Sequence, residues 1–209
     1  MRHIEMLKID KETYSVEDFN HHKAQSVKTQ IVLATSLRKD SYYITRLQHK
    51  EYGKTKKWNM YTVSRDGIIY QHFDNKFHSD FLGIKEADKK LISIVIENMG
   101  CLFSAPNNRY INWLNEVCDE NNVVERTWLG YNFWENFTNE QLESIVLLCR
   151  ELCEEHNIPK LCMEFHHYHK ETIKFRGIVF RSNYIEESTD INPLFEIPKF
   201  NEMLHNEFI

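Results

Sequence analysis

The chain is poor in the residues that make linkers and tails: 6 glycines and 4 prolines in 209 residues. That scarcity argues against low-complexity segments and long flexible connections. No stretch approaches the ~18 consecutive apolar residues of a membrane-crossing helix, so no membrane partner is expected. The N-terminal MRHIEMLKIDKETYS has no apolar run of signal-peptide length and no small-residue cleavage site. Five cysteines, an odd number without a secretion signal, read as reduced thiols of a cytoplasmic protein. Positive charge is not in excess: 26 Lys and Arg stand against 31 Asp and Glu, a net charge of −5, which gives no reason to expect nucleic acid. Lys54, Lys56 and Lys57 read as a solvated loop. A glycine-rich phosphate loop is absent as well.

What is present is apolar and aromatic. Hydrophobic residues make up 42% and aromatic residues 13%, enough to bury the core of one compact domain. The polar residues 1–28 read as an N-terminal arm, and residues 29–209 as the domain. Ile31 to Ala34, an apolar run bounded by polar residues, reads as a buried central strand. Residues 40–51 fit a short helix. Trp58 to Val63 and Ile68 to Phe73 read as strands joined by the turn Ser64-Arg-Asp-Gly67, where Asp-Gly suits a tight hairpin. Leu91 to Glu97 reads as a third buried strand, and Cys101 to Val124 as loop. Thr138-Asn-Glu-Gln141 is a capping box. The helix after it carries Leu142, Ile145, Val146, Leu148, Cys149 and Leu152 on apolar positions and ends near Asn157, before Pro159. Phe175 to Phe180 reads as another strand, and Ile191 to Phe208 as an amphipathic tail. The expected class is α/β: a central mixed β-sheet flanked by helices.

Seven segments, in order, carry a resemblance. They are Ile31-Val-Leu-Ala34-Thr; Met60-Tyr61-Thr-Val-Ser-Arg-Asp-Gly-Ile-Ile-Tyr70; Phe81-Leu-Gly-Ile-Lys85; Ser93-Ile-Val-Ile-Glu97-Asn98-Met-Gly100; the run from Gly130 to Gln141; Gly177-Ile-Val-Phe-Arg181-Ser-Asn-Tyr184; and Thr189-Asp190-Ile-Asn-Pro193-Leu-Phe195. Together they resemble the N-acetylmuramoyl-L-alanine amidases and peptidoglycan recognition proteins over roughly residues 28–200. The resemblance implies that fold, and it implies a zinc ion held by three side chains with a fourth position open for water. Aligned to the family pattern, the ligands fall on Ala34, Arg181 and Asp190. Alanine has no donor atom and arginine is permanently cationic, so the expectation is a lost zinc site and no cofactor. The family's acid–base positions fall on Asn59 or Met60 and on Ser188, and a substrate-facing histidine on Phe81.

The resemblance therefore implies a binding module rather than a working amidase. Its groove would be lined by Tyr61, Phe81, Glu97, Asn98, Tyr131, Trp134, Arg181 and Asp190. A peptidoglycan fragment, another small anionic ligand or a protein partner would occupy it, and a phage or defence role is an analogy only. Arg181 and Asp190 read in two ways, as an ion pair plugging the vacated site or as an anion-binding arginine oriented by its carboxylate. Tyr131 to Glu135 could stack on a sugar or base, or simply pack on the core.

Two alternatives stay open. One is an active amidase with a non-standard metal site recruited from His166, His167, His169 or His78. Along an extended segment His167 and His169 share a side, with Glu164 nearby. The other is a structural or regulatory subunit with a filled groove. His78-Ser79-Asp80 carries no triad, because three adjacent residues cannot adopt that geometry.

Overall fold

The computed structural model describes residues 7–39 and 55–206, so the helix expected over 40–51 lies outside the described residues. The central sheet has six strands: β1 (Ile9–Asp10), β2 (Gln30–Thr35), β3 (Tyr61–Val63), β4 (Ile69–Gln71), β5 (Leu91–Ile96) and β11 (Gly177–Phe180). Their order across the sheet is β1-β4-β3-β5-β2-β11. β2 lies parallel to β5 and β11, while β3 and β4 form an antiparallel hairpin. Every residue of β2, β5 and β11 is buried, which is why these strands read as continuous apolar runs.

Side chains alternate across this sheet. Ile31, Leu33, Ile92, Ile94 and Ile178 face helix α2 (Asn139–His156) and meet Ile145, Val146, Cys149 and Leu152. Val32, Leu91 and Val179 face the other way, against Ala87 of the short helix α1 (Lys85–Asp88), Met163, Tyr184 and the partly buried Phe81. The capping box forms as the sequence predicts: the Gln141 amide donates to Thr138 Oγ1 at 3.1 Å, and the Thr138 amide donates to Gln141 Oε1 at 3.2 Å. Gln141 Nε2 also donates to the Glu97 carbonyl at 2.7 Å, fixing the helix start to the end of β5. The C-terminal helix α3 (Ile197–His205) seats Phe200 and Leu204 in the same core.

The stretch from Cys101 to Val124 is not loop. It carries β6 (Cys101–Ala105), β7 (Arg109–Ile111) and β8 (Val117–Cys118), which join β9 (Val123–Trp128) and β10 (Tyr131–Glu135) in a second, antiparallel sheet ordered β8-β7-β6-β10-β9. These strands are short and largely solvated, so they lack the apolar periodicity that marks β2 and β5. The β9–β10 turn uses Leu129 and Gly130, both at positive φ, the geometry that suits a tight hairpin.

Residues 7–28 fold back on the domain. β1 pairs parallel with β4, and the His21 ring stacks between Phe73 and Phe77 at 4.7 and 5.2 Å. Buried His72 closes this seam. Its Nδ1 donates to the Tyr14 carbonyl at 2.8 Å, so its Nε2 accepts from Thr62 Oγ1 at 2.7 Å. Burial pushes the His72 imidazole down to about 4.

Two outcomes follow from this packing. Gly67 sits at φ +79°, and a Cβ there would lie 2.8 Å from the Glu140 carbonyl oxygen. Gly67→Ala is expected to cost about 1–2 kcal/mol, seen as a lower Tm by about 2–4 °C per kcal/mol in calorimetry. Because the folded-state pKa of His72 lies below its ordinary 6.5, the unfolded chain takes up the proton first as pH falls. Stability from this group is full above 6.5 and lost from 6.5 towards 4, with a slope reaching about 1.4 kcal/mol per pH unit. Urea unfolding of His72→Gln should show a shallower acid slope than the natural chain.

Candidate functional site

Register decides which side chains share a face at the C-terminal end of the sheet. Ala34 pairs with Val95 and Val95 with Thr62, so Thr62, Val95 and Ala34 form one row. Phe180 pairs with Leu33, so Arg181 leaves β11 beside Ala34. Tyr61 pairs with Ile94, which places it in the row facing α2, on the other side of the sheet. There its hydroxyl accepts from Asn75 Nδ2 at 3.2 Å, and burial pushes the phenol up.

Asp190 is fully buried at the end of β2. Its Oδ1 accepts from both the Thr35 amide and Thr35 Oγ1, each at 2.5 Å. Its Oδ2 is ion-paired with Arg181 Nη2. The same nitrogen donates to the Thr35 carbonyl at 3.1 Å, and the guanidinium carbon lies 5.8 Å from the centre of the Phe81 ring. The Arg181 side chain keeps 23% of its surface exposed. Ala34, Phe81, Arg181 and Asp190 are thus brought together, with a fixed cation at their centre. Thr35, which holds the carboxylate, was not singled out from the sequence. The signal for it was weak: a hydroxyl directly after Ala34 in an otherwise apolar strand.

Asn59, Met60 and Ser188, where the resemblance implies acid–base groups, make structural contacts. Asn59 Nδ2 donates to Thr62 Oγ1 at 2.8 Å, Met60 lies in the core, and Ser188 Oγ accepts from the Asp190 amide at 3.3 Å.

Glu97 and Asn98 lie where β5 leaves the central sheet, and both are buried. Asn98 joins the two sheets. Its Nδ2 donates to the carbonyls of Glu135 and Asn136 at 3.1 and 3.0 Å, and its Oδ1 accepts from Asn192 Nδ2 at 3.0 Å. Glu135, buried nearby, pairs with Arg65 at 3.2 Å and takes the Met99 amide at 2.6 Å. Trp134 is fully buried with its indole donating to the Arg126 carbonyl at 2.7 Å, and the half-buried Tyr131 meets it edge-on at 5.9 Å. Asn98 and Trp134 therefore serve the junction of the sheets, while Phe81 and Arg181 keep exposed surface.

The histidines disperse. The His166 ring stacks on Phe180 at 5.3 Å, and burial pushes it down to about 4. His167 stacks on Phe165 at 4.4 Å, and His78 stacks on His22 at 4.7 Å against the N-terminal arm. Among the described residues no three His, Cys, Asp or Glu side chains converge on a point able to hold a metal ion.

A model of the N-acetylmuramoyl-L-alanine amidase family matches residues 20–174. No curated protein sequence matches significantly. Among solved structures, a mutant endolysin from Bacillus subtilis superposes with TM-score 0.58 at 13% identity, over 95% of this chain and 99% of that one. The N-acetylmuramoyl-L-alanine amidase LysC from Clostridium intestinale URNW gives 0.56 at 13% identity, over 95% and 98%. The E. coli amidase AmiD, in complex with anhydro-N-acetylmuramic acid-L-Ala-D-gamma-Glu-L-Lys, gives 0.57 at 13%, over 87% of this chain and 59% of that one.

The ion pair has a direct test. Asp190→Asn keeps an acceptor for Thr35 but leaves Arg181 uncompensated, and should cost about 3 kcal/mol in urea unfolding at neutral pH. Replacing both partners, as Arg181→Met with Asp190→Leu, should cost much less.

Proposed function

The chain belongs to the N-acetylmuramoyl-L-alanine amidase family, and we propose that it is a member without hydrolytic activity that acts by binding. The observation that carries this reading is the Arg181–Asp190 ion pair at the end of β2 and β11. If the zinc ligands fall on Ala34, Arg181 and Asp190, as the sequence resemblance implies, the residues present do not fit the ion. Zinc needs three or four donor atoms. Ala34 offers a methyl group, Arg181 a permanent cation, and Asp190 a carboxylate already committed to Thr35 and Arg181. A dication would sit against a guanidinium in a poorly solvated site, where like charges repel strongly.

The ligand proposed is a peptidoglycan fragment with a free carboxylate. The exposed edge of Arg181, held by Asp190 and flanked by the Phe81 ring, suits an anion beside an apolar group. The muramyl peptide seen with AmiD carries such chemistry.

Elemental analysis and a muropeptide hydrolysis assay test the reading together. The purified protein should hold no stoichiometric zinc and release no peptide, while muropeptide raises its Tm and Arg181→Gln abolishes that shift. Hydrolysis by the natural chain, with bound metal lost on substituting His167 and His169, would sink the idea in favour of an active amidase with a non-standard metal site. A Tm that no small ligand moves would point instead to a protein partner.

A further inference from the structure

The N-terminal arm is tied to the domain lightly. β1 gives it two paired residues, Ile9 with Ile69 and Asp10 with Tyr70. Beyond them the Val16, His22 and Ser26 amides donate to the carbonyls of His72, His78 and Lys76 at 2.9, 2.7 and 3.1 Å. A segment on the outside of a sheet, held this way, opens at a lower free energy than buried strands such as β2 and β5.

The arm's His21 fills an apolar slot. It is 5% exposed, and its ring lies nearly parallel to Phe73, at an interplanar angle of 4°, and to Phe77, at 26°. Both ring nitrogens are buried, and neither has a hydrogen-bond partner. A neutral ring is accepted there for its aromatic face. An imidazolium carries two N–H donors and a charge, and the slot answers neither.

The charges around the slot act in the same direction. On the arm stand His22, Lys23 and Asp18, the last two ion-paired at 2.5 Å. Lys56, from the segment before β3, lies 3.5 Å from His22 Nδ1. On the turn that carries Phe73 and Phe77, Lys76 sits 4.9 Å from the Phe77 ring centre and pairs with Asp74 at 2.6 Å. Lys28 Nζ donates to the Phe77 carbonyl at 2.5 Å. Four lysines therefore stand against two aspartates that are already paired, a setting that disfavours a further cation. Burial outweighs the pull of Asp18 and pushes the His21 imidazole below its ordinary 6.5.

We propose that the arm over residues 7–26 is an acid-released latch, in which protonation of His21 frees the arm and uncovers the edge of β4. The released arm takes up the proton near pH 6.5, the docked arm only at lower pH. Docking is therefore at full strength above 6.5 and weakens below it, by up to about tenfold per pH unit for this one proton. His72 lies under the same arm, between the Tyr14 carbonyl, Thr62 Oγ1 and the Trp58 ring, and acts in the same direction. The proposal does not depend on what the Arg181 site binds.

Hydrogen exchange of the full chain, followed by NMR from pH 7 to 5 and corrected for the intrinsic pH dependence of exchange, tests it. The Val16, His22 and Ser26 amides should lose protection by about fivefold or more between pH 6.5 and 5.5, while the Val32 and Ile94 amides of β2 and β5 keep theirs. His21→Phe fills the slot with a ring that cannot be protonated, and should shrink that loss about fivefold. His21→Leu should do the same, even where its docking at pH 7 is weaker. Equal pH dependence in the natural chain and both variants overturns the proposal. Arm protection that does not change with pH overturns it as well, as does loss of protection in β2 and β5 together with the arm, which is global acid unfolding.

Discussion

A carboxylate with no exposed surface has to be compensated where it stands, and Asp190 sets that condition for the end of the central sheet. Thr35 supplies two hydrogen bonds from the end of β2, and Arg181 supplies a charge from the end of β11. Two adjacent parallel strands and the loop after them are thereby locked at one point. The same loop continues to Asn192, whose side chain bonds Asn98 and the Glu135 carbonyl, and so reaches the second sheet. Glu135 is compensated in turn by Arg65, which comes from the β3–β4 hairpin. Two buried acids, each answered by an arginine, bind the two sheets and the C-terminal loop together.

This arrangement bears on chemistry. The face of the sheet that carries Ala34 ends in a guanidinium that is paired, oriented and partly open to solvent. Positive charge is fixed at this end of the sheet, held by the buried Asp190 carboxylate and the Thr35 carbonyl.

Much of the central sheet was legible because local pattern and tertiary role coincide there. The apolar runs Ile31 to Ala34 and Leu91 to Ile96 can exist only as strands covered on both faces. Thr138 and Gln141 satisfy one another within a single turn, so the helix start needs no distant partner. The second sheet was not legible. Cys101 to Cys118 forms strands of two to five residues with solvent on much of their surface, and such strands show no period. Tyr61 shows a further gap: an aromatic in a family motif looked like a groove residue, yet its register with Ile94 turns it towards α2. A shift of one position moves a strand side chain to the opposite face, and only pairing reveals which face that is.

The sequence by itself determined the strands of the central sheet other than β1, the start of the long helix, and the family resemblance, which implies metal-binding histidines where Ala34 and Arg181 stand. These depend on residue identity and near neighbours. Only the tertiary structure decided that Arg181 and Asp190 meet, that Thr35 holds the carboxylate, and that the arm of residues 7–28 packs back on β4. Each of these joins segments far apart in the chain, and no local rule of spacing reports on which distant groups will share one buried point.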